Sequence, residues 1–140
     1  MVYRKDWGQP AAGNQGFART VKVYGRSINI LVPDFATINN VVGAFMVPGG
    51  FVLTDVLPTT IPDLDTGATL SLSLGDALLP GRIFAASNVG QAGGAMPALA
   101  ATGFLYRFPA DTEIILTATA AAAGGIAAAV PIYLRGFIGP

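Results

Sequence analysis

Ala68-Thr-Leu-Ser-Leu-Ser-Leu74, running into Gly75-Asp76 and, after a short loop, Pro80-Gly-Arg-Ile-Phe-Ala-Ala-Ser87, decides the fold class of this 140-residue chain. Leu70, Leu72 and Leu74 alternate with Thr69, Ser71 and Ser73, the period of two that gives a strand one dry and one wet face. A helix would need its leucines three and four apart, and the intervening hydroxyls would compete for backbone hydrogen bonds rather than support it. The stretch is therefore expected to be a strand central to the core of an all-β chain.

Working outward from it, short alternating or apolar runs end at turn residues on both sides. Towards the N-terminus, 19–24 and 27–32 are expected as two strands about a turn at Gly25. Further strands are expected at 41–47 and 51–57, separated by Pro48-Gly-Gly50. Towards the C-terminus, 88–97 is rich in Gly and Ala and is expected as a long crossing, with a helical turn at 98–101. Strands at 102–108 and 113–119 are expected to form a hairpin about Pro109-Ala-Asp-Thr112. The tract from Thr117 to Val130 is dominated by alanine, a helix former, but Gly124-Gly125 and its β-like flanks favour a hairpin turning at the glycines and returning along 126–138. Eight to nine strands joined by Pro and Gly turns point to a single β-sandwich or jelly-roll-like domain, 19–140, behind an extended arm, 1–18.

Composition bounds the chemistry. The chain has no cysteine and no histidine, so disulfides, thiolate sites and Ser-His-Asp triads are all excluded. No Gly-x-Ser-x-Gly elbow or phosphate-binding loop occurs. Asp63-Leu-Asp65-Thr-Gly67 places two carboxylates on one loop, as a calcium or magnesium site would, but aspartates beside a glycine commonly make turns by accepting their own backbone amides. Carboxylates at Asp55, Asp76, Asp111 and Glu113 are the remaining acid-base candidates. No catalytic residue, cofactor or metal is expected.

Charged residues are 11% of the chain and hydrophobic ones 52%, against about 25% charged in an ordinary domain. So little charge leaves neutral and apolar surface that favours association with other subunits. The charge is also unevenly placed. Residues 1–26 carry Arg4, Lys5, Arg19, Lys22 and Arg26 against Asp6 alone, and 27–140 carry three arginines against seven acids. A basic arm with Tyr3, Trp7 and Phe17, mobile when alone, is suited to ordering on an acidic protein surface. Tyr3, Arg4, Lys5, Trp7, Phe17, Arg19 and Lys22 are thus candidate partner-binding residues. Arg82 and Arg107, each set among apolar residues, are candidate subunit contacts, with Asp76 and Asp111 as plausible acidic partners. Five basic residues spread over 23 positions are too thin a footprint for nucleic acid. The N-terminus lacks the apolar run of a signal peptide, and the charge-free stretch 114–134 is broken by Gly124-Gly125 and Pro131, so neither export by that route nor a membrane span is expected.

Ser71-Leu-Ser-Leu-Gly-Asp76, Arg82-Ile-Phe-Ala-Ala-Ser87, Val89-Gly-Gln-Ala-Gly93 and Ala98-Leu-Ala-Ala-Thr-Gly-Phe-Leu-Tyr-Arg107, with Val42-Gly-Ala-Phe-Met-Val-Pro48, resemble a family of small structural proteins of tailed bacteriophages and prophages. The resemblance runs from about residue 36 to 137 and does not include the arm. It implies a non-enzymatic virion protein of β-sandwich type, a head decoration or cement protein, commonly trimeric, set on the capsid exterior against the major capsid protein. The alternative is a head-fibre, spike or tail component that binds host glycans through loops 59–67 or 88–97, although neither loop has an aromatic for a sugar face to stack on.

Overall fold

The computed structural model describes residues 20–139, and nine strands form its framework. One sheet has the order β1 (Val21–Ile30), β9 (Ala128–Ile138), β3 (Phe51–Val56), and a second has β2 (Val41–Val47), β8 (Thr112–Ala120), β5 (Ser71–Gly75), β6 (Phe84–Ser87). All pairings are antiparallel. A minor pair, β4 (Thr60–Ile61) with β7 (Gly94–Ala95), ties two loops together at one end.

Residues 105–108 complete the first sheet as an irregular edge beside β3. Leu105 N–H donates to the Leu53 carbonyl, Leu53 N–H to Tyr106, Phe108 N–H to Phe51 and Gly50 N–H to Phe108, at 2.7–3.0 Å, with Arg107 bridged to Val52. The chain thus passes back and forth between two four-membered layers, with β5 and β6 consecutive in the second, which is the connectivity of a jelly roll. The inward faces of both layers supply one core: Leu70, Leu72, Leu74, Ile114, Leu116, Ile132 and Leu134 are all 0–1% exposed. Leu70, Leu72 and Leu74 all face the core as the alternation expects. The strand expected over 68–74 begins only at Ser71, however, because Ala68 takes a left-handed backbone at φ +54° and the Thr69 and Leu70 amides are taken by Asp65. β5 lies in the sheet interior between β8 and β6.

Several expectations are corrected. Residues 19–24 and 27–32 are not two strands about a turn: Val21–Ile30 runs unbroken, with Gly25 in register opposite Tyr133. A Cβ at Gly25 would collide with the Ile132 carbonyl, so this glycine serves close strand approach rather than a turn. The segment 102–108 is a hydrogen-bonded turn followed by the edge described above, with Leu105 at φ +60°, and it makes no hairpin with β8 because the two lie in different sheets. The helical turn falls at 100–104, with Gly103 and Phe104 N–H both donating to Ala100, rather than at 98–101. The alanine tract also makes no hairpin. It crosses from β8 in one sheet to β9 in the other and is held by Ala122 N–H to Phe35, Thr66 N–H to Gly124 and Ile126 N–H to Leu64. Ser73, expected on the wet face, is 3% exposed and lies in register with Thr117 of β8, which is also buried.

Candidate docking surface

The two ends of the sandwich differ in character. At one end the loops are stitched together by Asp65. Its carboxylate, 1% exposed, accepts the backbone amides of Gly67, Thr69, Leu70 and Gly124 at 2.7–2.8 Å and the Thr69 hydroxyl. Burial pushes this carboxyl upward, but the amides of Gly124, Thr69, Gly67 and Leu70 outweigh it and hold Asp65 well below the usual carboxylate range. Asp63 in turn accepts the Asp65 amide. The Asp63/Asp65 loop is therefore a turn built on carboxylate-to-amide bonds, in which both oxygens of Asp65 accept backbone amides. No cluster of three or more metal-ligating side chains occurs among the described residues.

At the other end the loop 76–82 folds back over Gly75, where a Cβ would meet the Leu79 carbonyl. Asp76 organises it. One carboxylate oxygen accepts the Leu78 and Leu79 amides, both at 2.9 Å, and the other accepts Arg82 Nε at 2.5 Å. The Arg82 guanidinium lies 3.6 Å over the Tyr106 ring, Tyr106 meets Phe108 edge-on at 4.9 Å, and Phe108 stacks with Phe51 at 6.2 Å. This cation-aromatic series joins the 76–82 loop, which links β5 to β6 in the second sheet, to the edge and β3 of the first. Because Asp76 fixes the turn, Leu78 is held outward with 83% of its surface exposed.

Between this loop, the 106–112 crossing and the start of β8 opens a groove of about 320 Å³. Tyr106, Phe108, Ile115 and Leu78 form its apolar walls, and Asp111 and Glu113 stand exposed at its rim. Neither carboxylate belongs to an ion pair among the described residues. Asp111 Oδ1 accepts the Gly49 amide at 2.9 Å.

The candidates chosen from sequence fall as follows. Tyr3, Arg4, Lys5, Trp7, Phe17 and Arg19 lie outside the described residues, and Lys22 is exposed on β1 opposite Gly136. Arg82 has the acidic partner expected for it, Asp76, but within its own chain, and it is only 9% exposed. Arg107 is exposed beside Tyr106 and does not pair with Asp111, which is engaged by Gly49 instead. Asp55 pairs with Arg135 at 2.5 Å, so of the four candidate carboxylates two are neutralised by arginine. The groove was not visible in sequence. Its one trace was the pair Leu78-Leu79 inside a turn, where apolar side chains have no local reason to be.

No protein-family model and no curated protein matches the chain. Solved structures do. The chain is similar to a chain of the cyanophage Pam1 capsid asymmetric unit, at 27% identity over 97% of both chains with a TM-score of 0.72. It also shares its fold with a chain of the capsid of Ralstonia phage GP4, at 22% identity over 95% of this chain and 91% of that one, TM-score 0.65. The all-β sandwich is borne out by both likenesses, and the resemblance to phage structural proteins by the likeness to the Pam1 capsid chain.

Proposed function

We propose that this chain is a structural component of a phage capsid, and specifically a decoration or cement protein that sits on the exterior of the assembled lattice. The single observation that carries this reading is the end-to-end likeness to a chain of the Pam1 capsid asymmetric unit, which spans 97% of each chain. The absence of His and Cys from the sequence and the engagement of Asp55, Asp65 and Asp76 in ion pairs or amide bonds agree with a role in which the protein binds rather than transforms. Its partners are then the major capsid protein and further copies of itself, as a trimer.

The mechanism is linkage. A protein that binds the expanded lattice and not its separated subunits shifts the balance away from rupture by the binding free energy at each site, and many modest sites add up. The basic arm, Tyr3 to Arg19, supplies part of that contact.

The test is to locate the chain in particles and count it. A copy number matching the local threefold positions of the lattice supports the reading, while a handful per particle assigns it to a tail or spike. Particles stripped of the protein should rupture at lower temperature and under milder osmotic shock, and equal resistance would remove the cementing role. Deleting residues 1–17 should leave the sandwich folded and lower occupancy on the particle.

A further inference from the structure

The groove at the 76–82 end combines three properties that the fold does not require. Its walls are apolar and open, with Leu78 displayed by the Asp76 turn. Its rim carries two exposed carboxylates, Asp111 and Glu113, outside any ion pair among the described residues. It also lies at the end of the sandwich where β1 begins: Val21 pairs with Phe137, Ile138 with Phe51, Gly139 N–H with Gly50, and Gly49 N–H with Asp111. An apolar trough with an acidic rim fits a short peptide that carries aromatic and basic side chains together. The chain contains such a peptide in Tyr3-Arg-Lys-Asp-Trp7.

We propose that this groove receives the segment Tyr3 to Trp7 of a second copy, with Trp7 or Tyr3 against Ile115 and Leu78 and with Arg4 and Lys5 at Asp111 and Glu113. This deepens the arm's role under Proposed function and rests on that reading's premise that copies pack together. The length of the connecting chain favours a neighbour over self-contact. Because β1 starts at the same end as the groove, an arm folding back on its own body would need only a few residues. The stretch between Trp7 and Val21 can span about 45 Å when extended, more than the roughly 35 Å breadth expected of a body of this size, so the arm is long enough to reach an adjacent copy. The exchange makes each copy both donor and acceptor, so a ring or lattice of copies closes through repeated identical contacts.

The experiment uses the full-length chain with Tyr3 replaced by the photo-crosslinking residue p-benzoylphenylalanine. Copies with heavy and normal nitrogen isotopes are dissociated, reassembled together and irradiated, and the linked peptides are identified by mass spectrometry. The expected result is links from position 3 to peptides containing Leu78 or Ile115, with mixed isotope labels. Glu113→Lys should lower their yield about fivefold, as loss and reversal of one rim charge pair would, and Arg4→Glu with Lys5→Glu should recover part of it. Links within one copy, links to another surface, or no links each overturn the proposal. Occupancy of the same protein on particles is measured in parallel: if it is retained while the links fail, the groove assignment falls and the capsid-binding function stands.

Discussion

Arg82 and Asp76 form a buried ion pair across the turn that precedes β6, with Nε 2.5 Å from Oδ2 and side chains only 10% and 3% exposed. The same guanidinium covers the Tyr106 ring, so one side chain neutralises a buried carboxylate and anchors the irregular fourth strand of the opposite sheet. Removing one partner strands the other charge in a dry site, which costs about 3–5 kcal/mol. Arg82→Ala should therefore lower the unfolding free energy by that order in a urea titration. Arg82→Lys should recover only a minor part, because an ammonium cannot both pair through a planar fork and stack. Full recovery by Lys would show that charge alone matters there.

Asp65 sets the acid limit of the fold. Its carboxyl is held below its ordinary value of 3.8, so its stabilisation is fully present above about pH 4, where the unfolded group is ionised, and is lost as pH falls towards the folded value. Asp65→Asn should destabilise at neutral pH by about 1.5–3 kcal/mol, the worth of hydrogen bonds to a charged acceptor, and should flatten the decline in stability between pH 4 and pH 2. Urea midpoints measured across that range for both proteins provide the check. An unchanged slope in the variant would move the acid sensitivity elsewhere.

Ser73 and Thr117 are register partners on β5 and β8, both buried, and neither hydroxyl has a hydrogen-bond partner among the described residues. Replacing both by apolar groups of similar shape removes two desolvated hydroxyls that return nothing. Ser73→Ala with Thr117→Val should leave thermal stability unchanged or raise it by a few degrees. A fall of more than about 1 kcal/mol would mean that the hydroxyls are satisfied in the assembled protein.

Leu72 and Leu78 separate folding from association. Leu72 is fully buried and Leu78 is 83% exposed. Leu72→Ala should cost about 2–5 kcal/mol through lost contacts and a cavity. Leu78→Ser should change folding stability by less than about 0.5 kcal/mol while weakening self-association measured by sedimentation. Intact association in Leu78→Ser would leave this apolar side chain without a role.

How much was legible follows the range of the interaction that decides each element. Strands expected at 41–47, 51–57 and 68–74 correspond to Val41–Val47, Phe51–Val56 and Ser71–Gly75, because alternation and flanking Pro or Gly are local signals. The same local signals misled at Gly25, where a glycine serves close strand approach, and along 102–108, where an apolar run became a turn and an edge. The pairing of Arg82 with Asp76 was within reach because the two are six residues apart around one turn. The bond from Gly124 to Asp65, 59 residues away, was not.

The sequence by itself determined an all-β sandwich, a basic front on a sparsely charged body, and the want of His and Cys chemistry, because composition and period-2 patterning survive any arrangement of the strands. Only the tertiary structure decided which strands share a sheet, since β8 and β9 are neighbours in the chain yet lie in opposite layers. It also decided that Asp65 is a hub for backbone amides and that Asp111, Glu113, Ile115 and Leu78 surround one groove. Those facts depend on contacts between residues distant in sequence, and a period of two says which side chains point inward without saying what they meet.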